Sequence, residues 1–128
     1  LKYHRTMKNE TFSLLIFHGS ARPEAYNEAI RFAEKLKNQA GTATFSICFL
    51  KGAQPEVDNA ISQAIRDGWT KIQLIPLFLL PGSHTLVDIP EIVNAFKRQF
   101  PTIEFNVRDC LVNLPEFVQM VETQLRSH

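Results

Sequence analysis

Four short apolar runs alternate with four longer segments of helical period along this chain, and that alternation leaves few folds open. The runs are TFSLLIF (11–17), TFSICFL (44–50), KIQLIPLFLL (71–80) and TIEFNV (102–107). The first is apolar almost throughout, as a strand buried on both faces requires. The second sets Phe45, Ile47 and Phe49 against Ser46 and Cys48, and the fourth alternates Ile103, Phe105 and Val107, the period of a strand. In the third, Pro76 has no N–H to give to a ladder, so regular pairing is expected to end near it.

The intervening segments repeat near 3.6 residues. PEAYNEAIRFAEKLKNQA puts Ala25, Ala29, Phe32, Ala33 and Leu36 on one face, and Gly41 supplies a left-handed stop. Pro55 is expected to open a helix whose stripe is Val57, Ala60, Ile61, Ala64 and Ile65, closed by Gly68. PGSHTLV reads as a loop, after which Asp88 is expected to cap a helix over 89–100, with Glu91 completing a capping box. Leu114, Phe117, Val118, Val121 and Leu125 mark the last helix.

Strand and helix in strict alternation, with short connections, predict a parallel sheet crossed by right-handed connections. The expected fold is α/β: a three-layer α/β/α unit around a four-stranded parallel sheet. With 128 residues and no linker or low-complexity tract, one domain is expected over 11–128, behind a loose leader at 1–10. Fourteen Lys and Arg face thirteen Asp and Glu, a net charge of +1, which leaves no electrostatic footprint for a nucleic-acid partner. No apolar stretch reaches the ~18 residues of a membrane span, and the polar start lacks the apolar core of a signal peptide. A cytoplasmic protein is expected. Cys48 and Cys110 have no metal-type spacing and read as two reduced, buried thiols. His4 and His128 lie at the chain ends and are expected in solvent.

In open α/β sheets ligands bind beyond the carboxyl ends of the strands. The first strand runs into His18-Gly19-Ser20, the second into Lys51-Gly52, and the third into Pro81-Gly82-Ser83-His84. Positions 18, 51 and 84 recur at intervals of 33 residues, which predicts equivalent places at one edge of the sheet. If the first strand is central, His18 and His84 face each other across one crevice, and the neighbouring glycines let a large flat ligand approach. Neutral imidazole binds divalent iron, cobalt, nickel and zinc, and it also accepts protons. The chain has no phosphate-binding Gly-Lys-Ser/Thr loop, no three-glycine dinucleotide fingerprint and no nucleophile elbow. Ser20 and Ser83 read as loop hydrogen-bonders rather than nucleophiles.

The segments LLIFHGSARPEA, FLKGAQPEVDNAI and IPLFLLPGSHTLVDIPEIV together resemble the small CbiX-type class II chelatases over about residues 12 to 107. The resemblance implies a flavodoxin-like, chelatase-like half unit, insertion of Co²⁺ or Fe²⁺ into sirohydrochlorin for cobalamin or sirohaem, and homodimers among the small members. It implies that His18 and His84 bind metal and accept protons. The metal is then a substrate, and no organic cofactor is implied. Two departures stand out. Lys51 occupies the place where the family commonly has a glutamate, so either Glu56 or a water substitutes, or metal binding is weak, or Lys51 instead grips a substrate carboxylate. The usual Gly-Ser-Arg-Asp-Pro is altered to Gly-Ser-Ala21-Arg22-Pro23. The expected substrate contacts are Ser20, Arg22, Lys51, Gly82 and Ser83, with Leu80 and Leu86 as apolar walls for the tetrapyrrole. Two alternatives go with this reading: a non-catalytic tetrapyrrole- or metal-binding protein on the same fold, and an unrelated FMN-binding domain.

Overall fold

Leu14, Leu15 and Ile16 form the middle of the first strand, β1 (Phe12–Phe17), and all three are buried. Residues apolar on both faces belong in the interior of a sheet, and β1 lies there. A computed structural model describes residues 10–41 and 44–127 and places four parallel strands in the order β2-β1-β3-β4. The others are β2 (Phe45–Phe49), β3 (Lys71–Pro76) and β4 (Glu104–Val107). Helix α1 (Pro23–Ala40) follows β1, α2 (Val57–Arg66) follows β2, α3 (Ile89–Gln99) precedes β4, and α4 (Pro115–Arg126) ends the chain. His4, His128 and all but the last residue of the expected leader lie outside the described residues.

This order sets the direction of each crossover. The chain leaves β1 towards β2 on one side, then returns past β1 to β3 and on to β4. The order therefore reverses between β1 and β3, where a crevice opens at the carboxyl ends. Strand β1 pairs with β2 from Ser13 against Phe45 to Phe17 against Phe49, and with β3 from Phe12 against Ile72 to Ile16 against Pro76. Pro76 ends β3, as its missing N–H predicts.

One face of the sheet presents Leu14, Ile16, Cys48, Ile72 and Leu74 to Val57, Ala60, Ile61 and Ala64 of α2 and to Ile89 and Val93 of α3. Each of the larger fully buried side chains there contributes about 1.5–3 kcal/mol of transfer free energy. The opposite face is only partly covered. Ala29 of α1 is buried and Phe17, Phe49 and Tyr26 pack ring to ring. Beside them a polar chain crosses β1 and β3: Gln73 donates to Ser13 Oγ at 3.0 Å and accepts from Arg108 at 3.1 Å.

Three expectations change. Ala25 is exposed and Phe32 is 43% exposed, so the packed side of α1 is narrower than its apolar stripe. Helix α2 begins at Val57 rather than Pro55, because the Pro55 carbonyl accepts from Phe49 N and Glu56 bridges to Phe49. In α4 no residue is buried, and Val118, Val121 and Leu125 of the expected stripe are exposed. Among the described residues no helix is long and apolar enough to cross a membrane.

Candidate functional site

His18 stands one residue past β1, and the backbone on either side of it is tightly held. Phe17 O accepts from Leu50 N at 3.0 Å, and His18 O accepts from Lys51 N at 3.4 Å. Gly19 then turns at φ +92°, where an added Cβ would lie 1.8 Å from the Lys51 carbonyl oxygen. Gly52, at φ +76°, faces the Ser20 backbone in the same way, 2.9 Å from its carbonyl carbon. The two loops therefore interlock backbone to backbone, which only glycine permits. Ser20 Oγ accepts from Arg22 N at 3.1 Å. That bond shapes the entry into α1, where Pro23 suits the first turn.

His84 arrives by a different route. Beyond Pro76, Leu77 N still donates to Ile16 O. The chain then crosses the end of the sheet, tied down where Phe78 O and Leu79 O accept from Leu111 N and Val112 N of a 3-10 turn (Leu111–Asn113). At Gly82 it enters a helix. Gly82 O accepts from Thr85 N and Leu86 N, and Thr85 Oγ1 accepts from Gly82 N at 2.9 Å. Within the expected loop PGSHTLV (81–87) the chain is already helical: a π-helical turn (His84–Asp88) runs straight into α3, with Ile89 N donating to His84 O.

The two imidazoles meet. Their ring centroids are 5.0 Å apart with planes at 79°, and Phe78 stands edge-on to His18 at 5.8 Å. A nitrogen–metal bond of about 2.0–2.1 Å puts a shared ion roughly 3 Å from each ring centre, so rings at a near-tetrahedral angle stand about 5 Å apart. His18 is exposed and His84 half-buried, so both are open to a ligand. Nδ1 of His84 is taken: it lies 2.7 Å from Asp88 Oδ2.

This contact corrects the expected capping box. Asp88 has helical backbone angles (φ −66°, ψ −49°) and its side chain makes no cap bond, because the helix has already begun at His84. The four-residue spacing of His84 and Asp88 was the available signal, outweighed by the resemblance of Asp88-x-x-Glu91 to a cap.

The 33-residue interval is not what aligns the three positions. His18 lies one residue past Phe17, Lys51 two past Phe49 and His84 eight past Pro76. Lys51 is next to His18 through the backbone, but its side chain is exposed. Among the described residues no third His, Cys, Asp or Glu joins the imidazoles in a metal-holding group, so Glu56 does not complete one. Arg22, Gly82 and Ser83 are exposed. Open space surrounds the position where a Gly82 Cβ would stand, so glycine is not sterically required there.

Exposed apolar side chains flank His84 along the chain. Leu80 and Leu86, the expected walls, are 63% and 69% exposed, and Leu79 and Val87 extend the patch. On the other side of His18 lies a cavity of about 210 Å³ reached by Ser20, Tyr26 and Ala53. A neighbouring hollow of about 380 Å³ shares those three residues and adds Arg22. Cys48 is buried in the core on the α2 and α3 side of the sheet, its thiol pushed up to about 12 by burial; both cysteines are unbridged.

Comparison with known proteins shows the family of the chain. The CbiX family model matches residues 13–128. The sirohydrochlorin ferrochelatase of Priestia megaterium is 32% identical over 91 residues, 71% of this chain and 34% of that protein. The sirohydrochlorin cobaltochelatase of Methanococcus maripaludis is 31% identical over 84 residues, 66% of this chain and 58% of that one. The chain therefore spans less than two thirds of either relative. Among solved structures, the sirohydrochlorin chelatase SirB of Bacillus subtilis subspecies spizizenii, in complex with cobalt, superposes with a TM-score of 0.77. It is 26% identical, and the match covers 91% of this chain and 50% of SirB.

Proposed function

Because the chain belongs to the CbiX family, we propose that it inserts a divalent metal, Co²⁺ or Fe²⁺, into sirohydrochlorin, in the formation of cobalamin or sirohaem. The observation that carries this reading is the 5.0 Å approach of His18 and His84 at the switch point of the sheet. Relatives that act on the same tetrapyrrole with iron and with cobalt support the substrate and leave both metals open. Membership sets aside the unrelated FMN-binding domain.

In the proposed reaction His18 and His84 hold M²⁺ at one face of the macrocycle. The ring must lose two pyrrole protons for the metal to enter. An imidazole nitrogen that has handed over its metal has a free lone pair, so the same atom takes up a proton. Leu80 and Leu86 support the ring. Ser20, Arg22, Lys51, Gly82 and Ser83 border its rim, where the guanidinium and the ammonium meet carboxylates. The metal is a substrate, and the reaction so drawn uses no organic cofactor. The apolar residues exposed on α4 support a homodimer, and two unbridged cysteines fit a cytoplasmic location.

The experiment is metallation of sirohydrochlorin by the purified chain with a panel of divalent metals, followed by absorbance. His18→Ala and His84→Ala are each expected to slow it by about 10² or more. Wild-type rates in both variants overturn the reading. A second reading, a tetrapyrrole- or metal-binding protein without turnover, is favoured by Lys51 and by the lack of a third ligand among the described residues. It predicts sirohydrochlorin binding with the spontaneous metallation rate unchanged.

A further inference from the structure

We propose that Asp88 is a positioning residue, which holds His84 in the tautomer with its proton on Nδ1 and leaves the Nε2 lone pair free for a metal ion or a proton. The proposal rests on the reading of His84 as a metal-facing imidazole and adds the group that sets its orientation.

The geometry excludes the simpler roles for this carboxylate. Asp88 Oδ2 lies 2.7 Å from His84 Nδ1. An ionised carboxylate only accepts hydrogen bonds, so the hydrogen between them belongs to the imidazole. A neutral imidazole carries one N–H, and Nε2 is then bare. Asp88 is not a helix cap, since its side chain reaches no backbone amide. Nor is it a third metal ligand, because it faces the nitrogen on the other side of the ring from Nε2.

Stability does not explain the contact either. The two side chains are 39% and 48% exposed, and pairs so open to water contribute little. The contact is made within a π-helical turn. Such turns are rare and recur at functional sites, and this one sets His84 and Asp88 as neighbours on a turn continuous with α3. Carboxylate-to-imidazole bonds of this kind orient metal-binding histidines generally.

The test uses the whole chain with ¹⁵N-labelled histidine, at a pH well above the ordinary imidazole value of about 6.5. Long-range proton–nitrogen correlation spectra assign the ring nitrogens of His84. The expected wild-type result is a protonated Nδ1 and a bare Nε2. A protonated Nε2 overturns the proposal without any variant being needed. In Asp88→Ala the ring is expected to revert towards the Nε2–H form, whereas a merely structural role leaves the tautomer unmoved and so overturns the proposal too. Titration with Co²⁺ alone is expected to show affinity weakened about 10- to 100-fold in Asp88→Ala. Unchanged affinity overturns the link to metal binding. An Nδ1–H tautomer lost on substitution, in a chain that never metallates sirohydrochlorin, supports the positioning role while the chelatase reading fails.

Discussion

Gly19 and Gly82 flank the two imidazoles, and a glycine has two different meanings there. Gly19 combines φ +92° with a carbonyl oxygen where a Cβ would stand, whereas Gly82 has open space around it. Gly19→Ala is therefore expected to cost several kcal/mol, of order 2–4, because both backbone strain and the loop contact oppose it. Gly82→Ala is expected to stay within about 0.5 kcal/mol. Urea denaturation of the two variants checks the contrast, and equal losses would refute it. Cys48 makes a second prediction at this scale. Burial pushes its thiol up to about 12, so the reactive thiolate is scarce at any pH below that value. The native chain at pH 8 is expected to leave Cys48 unalkylated by iodoacetamide until it unfolds, as peptide mass analysis would report.

Among the elements, the central strands and α4 lie at opposite ends of a range. Leu74 of β3 is fully buried between α2 and α3, while no residue of α4 is buried. Leu74→Ala is expected to cost about 2–5 kcal/mol by leaving a cavity. Val118→Lys with Leu125→Lys is expected to leave the circular dichroism of the chain unchanged. The helical period is legible in both α2 and α4. A period tells which side of a helix is apolar, and whether anything covers that side depends on the neighbouring elements. The π-helical turn makes the same point: Asp88-x-x-Glu91 is a sound cap signal, but the backbone had already become helical four residues earlier.

For the molecule as a whole, the unfinished layer is the main feature. α2 and α3 cover one face of the sheet, whereas the other combines α1 with a polar chain through Ser13, Gln73 and Arg108, and α4 leaves Val118, Val121 and Leu125 exposed. Apolar side chains grouped on a surface mark interaction sites. Sedimentation is expected to give twice the 14.6 kDa chain mass for the wild type. The double α4 variant is expected to fall to the single mass with its fold intact. A monomeric wild type would remove the homodimer.

The alternation of period two and period 3.6 determined the parallel α/β class, and Pro76 the end of β3, because these depend on side chains a few residues apart. The His-Gly-Ser and Gly-Ser-His segments, with the resemblance they carry, marked the two imidazoles. Only the tertiary structure decided that β1 lies between β2 and β3. That order brings His18 and His84 to 5.0 Å along paths of unequal length, so the even interval in the sequence was no guide to the cause. It also decided that Asp88 bonds an imidazole and that Lys51, joined to His18 through its backbone, is exposed. Local pattern specifies which face of an element is apolar, whereas pairing across long loops is set by which distant surfaces pack together, and no short stretch of residues holds that information.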